Sequence, residues 1–167
     1  LEYRRFVLEP AVEIAADWRH PRLGWTLRQL LDHLNESPPH VPLVGDDPAQ
    51  VLRVAQAVAA KWSARLVQGL SLATGAARAD ERLLCASSST EWFVHAVGGA
   101  STRFRLVVML ESLDDRIDAM VANEVRRNRL AVLQRVNPGP VARIPTRRGA
   151  EDDASIIHEL LATLAAI

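Results

Sequence analysis

The chain has 167 residues, 49% of them hydrophobic and 24% charged, with 20 basic side chains balancing 20 acidic ones. This is the composition of an ordinary soluble globular protein with enough chain for a sizeable core, and the zero formal charge excludes a global field that would draw it to nucleic acid or an acidic surface. A single cysteine, Cys85, excludes an internal disulfide and a cysteine-based zinc site and fits a reducing cytoplasm, while no apolar run reaches the roughly 18–20 residues of a membrane span and no signal peptide is seen. Lys61 is the only lysine, a bias that reads as the codon usage of a GC-rich genome. The chain opens on Leu1 in what reads as the middle of a structured element, so a truncated or processed protein is expected.

Residues 4–16, RRFVLEPAVEIAA, space Phe6, Val7, Pro10, Ala11 and Ile14 by three and four, which predicts a short helix with Pro10 near its first turns. Residues 17–24 form a loop broken by Pro21 and Gly24. Thr26 and Gln29 then make a capping box for a helix with Leu27, Leu30, Leu31 and Leu34 along one side. Residues 35–42, NESPPHVP, are the best linker candidate, because adjacent prolines disfavour both helix and sheet interior.

Beyond this point strands and helices alternate. Residues 41–45 predict a strand, 48–63 a helix with Val51, Ala55, Val58 and Trp62 on one face, and 65–68 and 82–86 two short strands. Ser88 and Glu91 form a capping box for a short helix at 90–97. FRLVVML, residues 104–110, is the clearest strand, nearly unbroken apolar as in a strand buried on both faces. Ser112 is expected to cap a long helix carrying Leu113, Ile117, Met120 and Val121, stopped by NPGP at 137–140. Residues 141–144 give a last strand and 154–167 a last helix with Ile157, Leu160, Leu161 and Leu164 on one side. The alternation predicts an α/β fold, a three-layer parallel sheet of about five strands with an N-terminal helical appendage.

VPLVGDDPAQVLRVA, residues 41–55, has the strand–turn–helix shape of a phosphate-binding P-loop. A working P-loop, G-x-x-x-x-G-K-[ST], wraps phosphates in backbone N–H groups, neutralises them with lysine and holds magnesium by a hydroxyl. Counted from Gly45, those positions hold Gln50, Val51 and Leu52. Asp46 and Asp47 would repel a triphosphate, and the nearest cation is Arg53 on the following helix. Asp47 as N-cap and Pro48 as first helical residue account for the stretch without phosphate chemistry.

Arg4, Phe6, Leu8, Pro10, Glu13, Ile14, Ala15, Asp17, His20, Pro21 and the Thr26–Leu27 and Leu30–Leu31 pairs carry a first resemblance. Residues 4–34 resemble the C-terminal end of hydroxymethyldihydropterin pyrophosphokinase, a folate-pathway enzyme, whose closing segment reads R-x-F-[VML]-L-x-P-L-x-E-I-A-P-D, then H-P and a T-L-x-x-L-L helix. Ala16 and Ala11 replace its usual proline and leucine. The family's magnesium-binding aspartates and pterin-stacking aromatics precede this segment and have no counterpart here. Only Arg4 matches a position that contributes a basic contact to triphosphate, and pyrophosphoryl transfer needs metal and positioned phosphates besides. The resemblance implies an upstream pyrophosphokinase domain, with residues 1–36 packing on the rest of the chain or on another copy.

A second resemblance covers residues 41–167. VVMLES (107–112), the arginines Arg126, Arg127 and Arg129, and GPVARIPT (139–146) before a final helix are similar to the buried strand, phosphate-clamping lid and ending of P-loop deoxynucleoside kinases. SSSTEWF (87–93) stands where that family has an acidic–arginine substrate motif, but it holds no arginine. The resemblance implies a kinase fold that has lost its catalytic residues.

Plainer roles account for the other candidates. The cluster Arg126, Arg127 and Arg129 reads as a solvated face pairing with Glu124. Asp114 and Asp115, like Glu151, Asp152 and Asp153, read as first-turn acids. Ser88 lacks the G-x-S-x-G turn of a nucleophile, the five histidines lack ligand spacing, Trp18 and Trp25 read as packing, and Cys85 as buried.

The expected organisation is a pyrophosphokinase-like C-terminal segment at 1–36, a linker at 37–42, and a degenerate P-loop nucleoside-kinase-like domain at 43–167. The expected function is non-catalytic, with a structural, oligomerisation or regulatory role. The alternative is an active nucleoside or nucleotide kinase using an unconventional anion site of Arg103, Arg105 or Arg126–Arg129, as part of a bifunctional protein; a third is a regulatory nucleoside site without phosphates. No catalytic or metal residue is assigned, and Arg4, Arg126, Arg127 and Arg129 are the anion-site candidates. ATP and magnesium are cofactors only under the alternative. Expected partners are a second copy or the upstream domain, not nucleic acid or membrane, and the expected location is cytoplasmic.

Overall fold

The computed structural model describes residues 4–69, 80–97, 103–112, 139–146 and 152–167. Helix α1 (Arg5–Ala15) turns Leu8 and Val12 inward. Helix α2 (Leu27–Glu36) starts with the full capping box, Gln29 N–H donating to Thr26 and the Gln29 side chain accepting from the Thr26 N–H. Strand β1 (His40–Gly45) leads into α3 (Pro48–Trp62), β2 (Arg65–Gln68), β3 (Leu83–Ser88), α4 (Ser89–Val97), β4 (Val107–Ser112), β5 (Val141–Thr146) and α5 (Asp153–Ala165). The five strands form one parallel sheet in the order β2-β3-β1-β4-β5. Helices α3 and α5 cover one face, over a core that includes Val41, Leu43, Val58, Leu84, Val108, Ile144 and Leu160. On the other face Trp92 of α4 and Phe104 pack over Val44, Cys85, Val107 and Met109. The fold is a three-layer α/β fold with N-terminal helices.

Four expectations are corrected. The linker at 37–42 gives way to β1 from His40, so Pro42 sits in a central strand and pairs with Cys85. The Arg105 N–H donates to His40 O, which turns residues 40 and 42 toward β4, and the β1–β4 register starts only at Leu43. The donor that Pro42 lacks thus faces a point where that ladder has not begun. Strand β4 begins at Val107 rather than Phe104, where β5 first runs beside it, and extends through Ser112. On α5 the buried row is Ile156, Leu160 and Leu164, and Ile157 packs only partly. Trp18 is about half exposed, 53%, rather than packed away. The long helix expected after Ser112, with Asp114, Asp115 and Glu124, lies outside the described residues, as does Glu151.

The N-terminal helices join the sheet where its strands begin. Leu8, Val12, Leu27, Leu30 and Leu34 make a small core against which Ile167 packs, and the Arg5 N–H donates to Ala166 O at 2.8 Å. Full burial of Leu30 and Leu34 contributes roughly 1.5–3 kcal/mol each. Buried His33 donates from Nε2 to Phe104 O at 3.0 Å, accepts at Nδ1 from the Ser37 hydroxyl at 3.4 Å, and meets the Trp25 ring edge-on at 5.2 Å. Nearby, the Arg105 guanidinium donates twice to Ser37 O, at 2.7 and 3.1 Å.

Burial first, and the Arg103 guanidinium next, push the His33 pKa below its ordinary 6.5. With the folded value depressed, the unfolded chain takes up the proton first. Stability is therefore fullest above 6.5, falls as pH drops below it, and levels off once the folded value is passed. Urea midpoints between about pH 8 and pH 5 should show this slope. His33→Gln, which keeps a donor for the Phe104 carbonyl, should flatten it; an unchanged profile would refute the role given to His33.

Candidate functional site

In an open parallel sheet, ligands bind outside the carboxyl ends of the strands, where successive connections leave on opposite faces. Here that point lies between β1, followed by α3 on one face, and β3, followed by α4 on the other. A cleft of about 380 Å³ opens there, between Pro48, Val51 and Leu52 of α3, Gln68 and Gly69 at the end of β2, and Ser87, Ser88 and Glu91.

The β1–α3 turn lies at its edge. Gly45 is required by packing: a Cβ on it would lie 2.7 Å from Val51 Cγ2 and 3.3 Å from Leu110 Cβ. The free amides of a helix N-terminus are the natural phosphate donors. In α3 they are already in use, because Asp47 Oδ1 accepts from Ala49 N at 2.9 Å and from Gln50 N at 3.2 Å. Arg53, the nearest cation in the sequence, is also committed. Its Nε donates to Asp153 Oδ2 at 2.9 Å, and Gln50 Nε2 donates to Asp153 Oδ1 at 3.2 Å, so α5 and α3 are stitched together beside the turn. This hydrogen bond to Asp153 raises the Arg53 pKa further above its ordinary value.

The second loop is acidic as well. Ser88 and Glu91 complete the expected capping box, Glu91 N donating to Ser88 Oγ at 3.2 Å and Ser88 N to Glu91 Oε2 at 3.0 Å. Buried Ser87 donates its hydroxyl to the same Oε2 at 3.2 Å, and Ser89 Oγ donates to Asp46 Oδ1 at 2.8 Å. Among the described residues the charged side chain lining the cleft is thus a carboxylate, with two more on the turn at its edge. Such a site favours neutral or cationic ligands and repels phosphate. Cys85 supplies no nucleophile, since burial pushes its thiol pKa up to about 12.

Of the arginines singled out from sequence, Arg4, Arg103 and Arg105 lie away from this cleft. Arg4 is exposed beside the last turn of α5, the turn Arg5 reaches through Ala166 O. Asp153, next to the cleft, is at the other end of that helix, roughly 20 Å away at 1.5 Å per residue. Arg103 pairs with Glu36 at 3.4 Å and Arg105 with Ser37 O, both where the strands begin, so neither can serve an anion site at the switch point. Arg126, Arg127 and Arg129 lie outside the described residues. Sequence reasoning missed the Asp153 bridge, which joins residues some 100 positions apart and leaves no local signature. It read Ser88 and Glu91 only as a cap, though their place after a predicted strand already put them at the carboxyl edge. Among the described residues no group of acidic, histidine or cysteine side chains is arranged to hold a metal ion, and no helix is long and apolar enough to cross a membrane. Neither a protein-family model nor a curated protein sequence matches the chain.

Proposed function

We propose that this chain is a non-catalytic, kinase-like α/β domain joined to the tail of a folate-pathway pyrophosphokinase, serving stability, assembly or partner binding. One observation carries the reading: the α3 amides that would grip a phosphate are capped by Asp47, while Arg53 is held by Asp153. Loss of the lysine and hydroxyl positions to Val51 and Leu52 removes the rest of the grip. The pyrophosphokinase part rests on the Arg4 to Leu31 matches, and the kinase part on those in 107–112 and 139–146.

Thermal unfolding with millimolar ATP and magnesium tests it. No displacement of the midpoint is expected. A ligand at about 100 times its dissociation constant adds roughly 2.7 kcal/mol, several degrees for a chain of this size. A shift of that kind would defeat the reading. The cleft with Gln68, Ser87 and Glu91 favours a second reading, an unphosphorylated nucleoside held as a regulator. A shift with deoxynucleosides but not with ATP would select it.

A further inference from the structure

Helix α1 buries Leu8 and Val12 against α2, and its far side carries three parallel rows set by four-residue spacing. The middle row is Phe6, Pro10 and Ile14, with Trp18 just past the helix end. Phe6, Ile14 and Trp18 are 63%, 88% and 53% exposed, three of the four large apolar side chains so placed among the described residues. On one side run Glu9, Glu13 and Asp17, all exposed and entering no ion pair among the described residues. On the other side Val7 and Ala11 open into an apolar groove of about 180 Å³ closed by Trp18, His20 and Leu27. The acids are not there for the helix's own sake. Glu13 and Asp17 sit at its C-terminal end, where the backbone dipole disfavours negative charge.

We infer that this face docks a separate protein through an amphipathic helix whose apolar row is bordered by lysines or arginines. The apolar row would cover Phe6, Ile14 and Trp18, one bulky side chain would enter the groove, and the basic border would meet Glu9, Glu13 and Asp17. On the helix the exposed row from Phe6 to Ile14 rises roughly 12 Å, a little over two turns, and Trp18 lies beyond it. A second copy is the poorer occupant: packed antiparallel it opposes the two acidic rows, and packed parallel it sets each acidic row against the partner's apolar groove. An anionic lipid surface would be repelled by them. The inference names the partner class for the partner-binding role proposed above. It rests on α1 alone, so the outcome with ATP does not decide it.

Two synthetic 18-residue helical peptides with the same leucine row, one bordered by lysine and one by glutamate, provide the test by fluorescence anisotropy at physiological salt. The lysine-bordered peptide should bind about tenfold more tightly. Glu9→Lys with Glu13→Lys should reverse that order, whereas Glu159→Lys, an exposed charge change on α5, should leave it unchanged. Ile14→Ser should weaken binding of the preferred peptide by about tenfold. Equal binding of the two peptides, binding of neither, or an order untouched by the α1 charge reversals would overturn the inference. So would a concentration-dependent dimer in sedimentation that Ile14→Ser abolishes, or adsorption to phosphatidylserine vesicles in place of peptide.

Discussion

Phe104→Ala should lower the free energy of unfolding by about 3–5 kcal/mol and the melting temperature on the order of 10 °C. Phe104 is fully buried and packs against Trp92, ring centroids 5.7 Å apart, in the core that also holds Val44, Met109 and Val141. Truncation leaves a cavity lined by a tryptophan and by strands of a parallel sheet, neither of which can collapse cheaply into it. The backbone carbonyl of Phe104 still accepts from His33 in the variant, so the loss reports packing and not the joint. Phe104→Leu should restore more than half of it. Denaturant titration settles the matter, and a cost below about 1 kcal/mol would mean that Phe104 does not anchor this layer.

The second large effect is expected at Gly45. Gly→Ala at a compatible position usually stabilises by about 0.4–1 kcal/mol through the unfolded chain. At Gly45 it should instead destabilise by about 1–3 kcal/mol, because the new methyl lands 2.7 Å from Val51 Cγ2. Val51 cannot rotate away readily, being β-branched in a helix and buried against the sheet. Adding Val51→Ala should recover part of the loss, a coupling that a double-mutant cycle reads directly. Were Gly45 a phosphate-loop glycine kept for ligand, its replacement would alter binding and leave the unliganded protein near its original stability.

Much of the architecture was legible because it is written in local chemistry. The Thr26–Gln29 and Ser88–Glu91 boxes, the Asp47–Pro48 helix start and the short strand at 65–68 all appear where residue type and spacing put them. Errors arose where distant chain decides. Phe104 and Leu106 are as apolar as Val107, yet the strand starts only at Val107, where β5 first pairs with it. Pro42 belongs to a central strand because the β4 ladder begins one residue later, which composition cannot reveal. The candidate site divided in the same way. The lost lysine and hydroxyl positions could be read directly, whereas the capture of Arg53 by Asp153 depends on α5 folding back over α3. Arg103 and Arg105 drew attention as charges, but the strand direction carries them to the opposite end of the sheet.

The bond between Arg5 N and Ala166 O ties together the first described helix and the last. On a ribosome adding about 5–20 residues per second, α1 emerges roughly seven to thirty seconds before α5 can exist to receive it. During that interval the Arg5–Ala166 bond cannot form, whereas the bonds from α2 to Phe104 and Arg105 can. The bond between α1 and the end of α5 is therefore made late in the synthesis of these residues, after the strands that α5 packs on.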